Sequence, residues 1–533
     1  MSRLDFDAVI IGSGFGGSVS ACRLAQAGQK VLVLERGRRW TPDNFPREPS
    51  DPWLWSQDHP EHINGWADLR TFADMWVAAG AGVGGGSLIY ASVSVEAKPE
   101  VFEDPRWPQG LNYTRLKPYY DRVAGMLDVQ TLPDNQLNPR FHLMKEAAEA
   151  NGWGDRFHKV PLAVRFDPAY DPNRPDPRGD QHTVYSNNPH GRQQGTCVHC
   201  GNCDIGCQVH AKNTLDLNYL AEAENHGAEI RPLHLVHAVE PLDRDGSGGW
   251  RVRFDRIAEG ERHPGSVTAQ RVILAAGSIG STELLLRSRD QYGTLHALSP
   301  RLGHGWAFNG DFVTPTFYAN RKLSPSHGPT ISCAIDLLDG QVDGAALFIE
   351  DGGVPNMTGN FIRQRMRKPG WGKLRGFWKG LGQVTDADDP LDGMMPWFGQ
   401  AVDAADGQLY LGRLWYAPWR RTLKMHWDYR ASEAVVDAMV KTHEKLSEAT
   451  GGKAFIPPTW TVLKNLITPH PLGGCNMADS AERGVVDGHG RVHGYQHLYV
   501  MDGSTLPRAI GLNPSRTIAA LAERNVEHLI AHA

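Results

Sequence analysis

Two short stretches carry residue types whose spacing is that of reaction chemistry. The first, CVHCGNCDIGC at 197–207, places Cys197, Cys200, Cys203 and Cys207 within eleven residues. The spacing C-x2-C-x2-C-x3-C is a ferredoxin ligand run, with Gln208 where the customary proline would follow. Three states satisfy it: an iron–sulfur cluster, a zinc ion, or no metal, the thiols then being disulfides or free structural cysteines. In two-cluster ferredoxins the fourth cysteine serves the other cluster. A single cluster here therefore needs a loop that folds back on itself, which Gly201 and Gly206 would assist. Structural zinc usually draws its paired ligands from two separated strands. The second stretch, GSGFGG at 12–17, is G-x-G-x-x-G: Gly12, Gly14 and Gly17, with Phe15 and Gly16 between them. Glycines so spaced give a tight turn, a close approach of backbone to pyrophosphate, and a helix N-terminus facing negative charge.

These glycines need a strand before them and a helix after. Ala8–Ile11 reads as a short apolar strand, Ser18–Gln26 as a helical run ended by Gly28, and Lys30–Leu34 as a second strand closed by Glu35. An acid about 20 residues beyond the glycines suits a ribose hydroxyl. The strand–helix–strand frame makes this a dinucleotide site rather than an ordinary Gly-rich turn. Two later segments return to it. GAGVGGGSLIYASV (80–93) has five glycines between Gly80 and Gly86 and is built to lie against a planar or phosphate-bearing ligand, with Gly82, Gly85, Gly86 and Ser87 as candidate contacts. RVILAAGSIGSTELLLRSRD (271–290) reads as a strand, a turn at Gly277 and a helix. Distant segments converging on one nucleotide are what a large embedded cofactor, FAD, requires. Near the C-terminus, Pro514–Ile530 reads as an amphipathic helix capped by Asn513. Residues 426–452 give another helix, ended by Gly451, and the Pro/Asp-rich 166–180 an exposed loop.

At 533 residues the chain exceeds a single simple core. A net charge of −5 argues against general nucleic-acid binding. Asp5 and Asp7 interrupt any signal-peptide core, and no apolar run approaches the roughly 20 residues of a membrane span. A cytoplasmic location is expected, where structural disulfides are disfavoured. One segment, 361–383, has seven Lys/Arg, no acid and interleaved aromatics. It is a candidate peripheral membrane contact, the alternative being a solvated lid.

These motifs, together with GHGWAFNGD (303–311), TPHPLGGC (468–475) and the stretch 497–530, resemble the glucose–methanol–choline (GMC) oxidoreductases from end to end. They are most similar to the cholesterol-oxidising members with non-covalent FAD. The resemblance implies an α/β fold with a Rossmann-type FAD-binding domain from 1–100, 190–300 and 465–533. A discontinuous α+β substrate-binding domain would come from 101–189 and 301–464. It implies hydride transfer from a bulky, hydrophobic, sterol-like alcohol to FAD, giving a ketone or aldehyde, with oxygen or an electron carrier as acceptor. His470 would face the substrate hydroxyl, and Asn513, followed by Pro514, would meet the flavin edge. Glu350, in ALFIEDGG, would be the base that isomerises a β,γ-unsaturated ketone. Val236 would touch the adenine end of FAD through its backbone, and Asp502 is a further FAD contact. Glu283 and Glu523 read as surface or packing residues. Tyr90 and Pro469 depart from the cholesterol-oxidising pattern beside the flavin and in the pocket wall. That branch has no cysteines at 197–207, whereas some sugar dehydrogenases of the family carry an iron–sulfur cluster in a comparable insertion. A carrier-linked dehydrogenase acting on a sugar or other alcohol is therefore the alternative, and a redox-neutral lyase or decarboxylase the third reading.

Overall fold

Strand Phe6–Ile11 is buried at every position but one, as a central strand of a parallel sheet must be. It pairs in parallel with Val31–Leu34 on one side and with the end of the long strand Glu261–Leu274 on the other. Glu229–Arg231 and Leu498–Val500 extend this parallel core at its two edges. Helix Phe15–Gln26 makes the crossover between the first two strands. The leading part of Glu261–Leu274 pairs antiparallel with Trp250–Ala258, which pairs in turn with His234–Pro241. The product is a seven-stranded sheet in a computed structural model that describes residues 3–359, 391–414 and 417–532. The basic segment 361–383 lies outside the described residues.

A second, six-stranded antiparallel sheet runs in the order Lys453–Ala454, Phe312–Phe317, Met394–Ala401, Ala345–Asp351, Cys333–Val342, Phe157–Lys159. Helix Glu433–Ala449 packs on it through Val436, Met439, His443 and Leu446, one face at helical spacing. One hydrophobic core runs through both sheets. The seven strands of the first sheet come from 1–100, 190–300 and 465–533, and the six of the second from 101–189 and 301–464. A smaller sheet pairs Leu466–Thr468 with Met75–Gly80 in parallel, which brings residue 470 beside the glycine loop of 80–86.

Three helix boundaries differ from the sequence reading. The first helix starts at Phe15, because Gly14 takes the N-cap position. The C-terminal helix is Ser515–Ala531, with Pro514 at its N-cap and no side-chain cap, so Asn513 does not cap it. In 426–452 the helix is only Glu433–Ala449, since His426 closes the strand Ala417–His426; Gly451 follows the helix end with φ +77°. Among the described residues no helix is long and apolar enough to cross a membrane.

Candidate active site

A cavity of about 1100 Å³ opens where the two sheets meet. Its floor is laid by glycines, two of which leave no room for a side chain. Gly12 has φ +94°, and a Cβ there would lie 2.5 Å from the Ala275 carbonyl oxygen. A Cβ on Gly16 would fall 1.4 Å from the Met501 oxygen. Helix Phe15–Gln26 therefore starts pressed against the C-terminal end of two other strands, its first-turn amides without intrahelical acceptors. Glu35 joins the loops: its Oε2 accepts from Ser13 N (3.0 Å) and Ser13 Oγ (2.7 Å), its Oε1 from Gly37 N (2.9 Å). Ser13 Oγ also accepts from Gly84 N at 3.0 Å. Asp502 ties the next corner, accepting from Gly277 N (2.9 Å) and Ser281 Oγ (2.5 Å) on one oxygen and from Ser504 N (2.9 Å) on the other. Burial pushes the Asp502 carboxyl up, and these donors oppose it.

Gly12, Gly14, Phe15, Gly16, Glu35, Gly85, Gly86, Val236, Gly277, Asp502, Asn513 and Pro514 all line this cavity, as does His470. Val236 sits at a register break of its strand, where a bulge re-aims the backbone. Gly17, Gly82, Ser87 and Glu350 lie behind the wall. A Cβ on Gly17 would meet the Gly12 oxygen at 2.1 Å, so this glycine sets helix against strand. Gly82 (φ +156°) faces the Trp40 ring. Ser87 Oγ donates to Gly84 O (2.7 Å) and accepts from Leu215 N (3.1 Å), fastening the loop.

His470 is held from below. Its Nδ1 donates to Asp311 Oδ1 at 2.8 Å, since a carboxylate only accepts, and this leaves Nε2 on the cavity side without a partner among the described residues. Thr468 Oγ1 lies 2.5 Å from Asp311 Oδ2 and accepts from His470 N at 2.9 Å. Burial pushes the Asp311 carboxyl up, and His470 beside it pulls it back down. Neither Asp311 nor Thr468 was singled out by sequence reading, although both sit inside the quoted motifs GHGWAFNGD and TPHPLGGC.

Asn513 donates its Nδ2 to Glu350 Oε2 at 3.3 Å, and Gln400 Nε2 donates to the same oxygen at 2.9 Å. Glu350 is fully buried, and burial pushes its carboxyl well above the usual range, with the Asn513 and Gln400 donors opposing it. The structure places it behind Asn513, away from the cavity, which does not suit a base that must reach substrate. Asn513 Oδ1 is buried without a partner. The glycine cradle, the free amides of two uncapped helix N-termini and this orphaned amide oxygen fit a flavin dinucleotide, which carries phosphate charge and ring N–H groups. The volume exceeds a usual small-molecule site and accommodates cofactor and substrate together.

Glu283 and Glu523 are buried, not superficial. Glu283 pairs with Arg70 (3.3 Å) and Arg287 (2.5 Å) on the cavity rim, and Glu523 with Arg23 at 2.6 Å. At 197–207 no cysteine is disulfide-bonded. Among the described residues no three His, Cys, Asp or Glu side chains, the four cysteines included, are grouped so as to hold a metal ion.

Two family profiles described as GMC oxidoreductase match residues 6–160 with 178–290, and 405–522. The chain is a GMC oxidoreductase. Members of this family are FAD-binding flavoproteins acting on CH–OH donors, and this GMC oxidoreductase is an enzyme of that kind. It is 31% identical to a cholesterol oxidase of Acinetobacter baumannii over all of this chain and 95% of that one. It is 32% identical to a cholesterol oxidase of Mycobacterium tuberculosis, over 98% of this chain and 90% of that one. A long-chain-alcohol oxidase of Arabidopsis thaliana matches at 25%, over 98% of this chain and 66% of its own length. A solved pyridoxine 4-oxidase shares the fold with a TM-score of 0.65 at 17% identity, over 99% of both chains.

Proposed function

We propose that this GMC oxidoreductase oxidises a bulky, hydrophobic alcohol of sterol size by hydride transfer to FAD. One observation carries the reading: the unpartnered Nε2 of His470 borders a large cavity whose lining includes Leu69, Val313, Ile331, Val354, Pro396 and Phe398. These apolar walls suit a hydrophobic alcohol, while polar side chains such as Gln57, Asp58 and Arg70 line other parts of the same cavity. FAD, when bound, supplies the hydride acceptor. His470 takes the hydroxyl proton at Nε2, and Asp311 holds the ring in the tautomer that leaves Nε2 free to accept it. Asn513, oriented by Glu350, presents its amide to the flavin edge. The helix Ser515–Ala531 adds the positive end of its dipole there. The relatives named cholesterol oxidase support the substrate class. Isomerisation of the product is not part of the proposal, because Glu350 lies behind Asn513.

The test is anaerobic addition of a sterol, a long-chain alcohol and a sugar to the flavoprotein. Bleaching of the flavin by the sterol is expected. Bleaching by the sugar alone would overturn the substrate class, and turnover with an unbleached flavin would overturn oxidation in favour of a redox-neutral reaction.

A further inference from the structure

The loop 197–207 reaches the large cavity through one side chain. Cys197, Cys200, Cys203 and Cys207 border a small space of their own instead, among Val164, Val198, Val209 and Ala211. They serve there as small core residues. Of all residues from 94 to 233, only Asp204 lines the large cavity.

The main chain that carries Asp204 is fixed on both sides of it. Buried Lys212 donates its Nζ to the Cys203 carbonyl at 2.7 Å, and to those of Leu88 (2.7 Å) and Tyr90 (3.3 Å). Half-buried Arg47 donates its Nη1 to the carbonyls of Gly206 (2.8 Å) and Ile205 (3.4 Å). Two left-handed glycines turn the loop, Gly201 (φ +73°) and Gly206 (φ +91°). A Cβ on them would lie 2.3 Å from the Ser326 oxygen and 2.5 Å from the Phe45 ring. A carboxyl on so constrained a loop loses little further freedom when it holds a ligand.

The carboxyl itself is poorly satisfied. Burial pushes it up to about 6, with Lys212 and the Thr330 hydroxyl opposing it. A carboxylate offers roughly four lone-pair sites, and Thr330 is the one hydrogen-bond donor beside this side chain among the described residues. A donor brought by a ligand would relieve that cost.

The position of Asp204 says which part of a ligand it meets. Thr330, Gly353, Gly352, Pro396 and Phe398 all line the large cavity and follow one another along a single wall. A Cβ on Gly353 would lie 3.1 Å from the Thr330 oxygen, and one on Gly352 would lie 2.6 Å from the Pro396 oxygen. The Phe398 ring centre is 6.1 Å from that of His470. Asp204 stands at one end of this row and His470 at the other.

We propose that Asp204 determines specificity by accepting a hydrogen bond from a second hydroxyl of the alcohol, remote from the carbon that is oxidised. The inference rests on the alcohol-oxidation reading and narrows its substrate to a diol of sterol size. A hydroxyl fits better than an ammonium, because Lys212 already offsets the carboxylate charge and a neutral donor is cheaper to bring past apolar walls.

The probes are cholesterol, its derivatives with a second hydroxyl on ring B, on ring D or on the side chain, and a side-chain amine. Anaerobic flavin reduction by each is followed in wild type, Asp204→Ala and Asp204→Asn. One diol should exceed cholesterol about 10- to 100-fold in the second-order rate constant, chiefly through a lower half-saturating concentration, as one hydrogen bond to a charged group provides. In Asp204→Ala that ratio should fall to about one, and in Asp204→Asn, which keeps the shape and an uncharged acceptor, to an intermediate value. Flavin per chain should match wild type in both variants. No diol ahead of cholesterol, an amine ahead of every diol, or an advantage that survives both substitutions overturns the proposal. Loss of flavin from Asp204→Asn overturns it too, by making the residue a cofactor contact. Equilibrium titration, read as a shift in the absorbance of the oxidised flavin, separates the two readings. If no alcohol bleaches the flavin, alcohol oxidation falls. A diol bound about tenfold more tightly than cholesterol by wild type, but not by Asp204→Ala, still upholds the Asp204 contact, and equal binding overturns it.

Discussion

Asp311→Asn isolates what the buried carboxylate does for His470. The two are 2.8 Å apart, and Asp311 is almost fully shielded, with its side chain 1% exposed against 18% for His470. An amide of the same shape still fills the space, but it no longer balances the positive charge that Nε2 gains on taking the alcohol proton. It can also donate to Nδ1, which would put the ring hydrogen on Nε2 and block proton acceptance. A charge-assisted hydrogen bond is worth about 1.5–3 kcal/mol net, and the tautomer penalty adds to it. A loss of about 2–4 kcal/mol of transition-state stabilisation is expected, or roughly 30- to 1000-fold in the flavin-reduction rate. Anaerobic stopped-flow absorbance with a saturating sterol measures that step alone. Flavin content and melting temperature should stay near wild type, and a C–H-deuterated alcohol should show an isotope effect at least as large. Reduction within threefold of wild type, with flavin fully loaded, would refute the assignment of Asp311 as the residue that positions His470.

Gly16→Ala drives a methyl into the Met501 carbonyl, so the variant should be isolated without flavin or not fold at all; flavin absorbance per chain measures this. Glu350→Gln should raise the melting temperature by a few degrees at pH 8 and by much less near pH 4.5. The Glu350 carboxyl is pushed up in the fold, so its contribution is fully present in acid and is lost as pH rises; the amide never ionises. His443 behaves oppositely: burial lowers it to about 3, so it folds neutral and takes up a proton on unfolding. Chemical denaturation between pH 6.5 and 4 should show stability falling by about 1.4 kcal/mol per pH unit on its account, and His443→Gln should flatten that slope.

The strand–glycine–helix–strand frame at the N-terminus was legible because its signals are local: glycine spacing, an apolar run, an acid at the next strand end. The same holds for the lining residues His470, Asn513 and Asp502, which sit in short motifs. Asp311 was not legible, being 159 residues from His470, in a motif that otherwise forms the short strand His304–Trp306 and a turn. The helix cap at Asn513 was misread for a related reason. An Asn before Pro-Ser-Arg matches a local capping pattern, but a buried acid at Glu350, 163 residues away, claims its amide. Glu350 itself was expected as a base facing substrate, whereas it lies buried near the end of a central strand of the second sheet, bonded to Asn513. Burial and long-range charge decide these positions, and neither leaves a period in the sequence.

The contact of Gly16 with Met501 sets the order in which this chain can acquire its cofactor. The glycine turn leaves the ribosome nearly five hundred residues before the wall it presses against. At roughly 5–20 residues per second, synthesis of the intervening stretch takes on the order of half a minute to a minute and a half. Throughout that interval the nucleotide cradle exists without its far side, so the nascent chain has no finished place to retain FAD. Loading must follow or coincide with the docking of strand Leu498–Val500 and helix Ser515–Ala531, and a chain truncated before residue 498 should emerge colourless however much FAD the cell supplies.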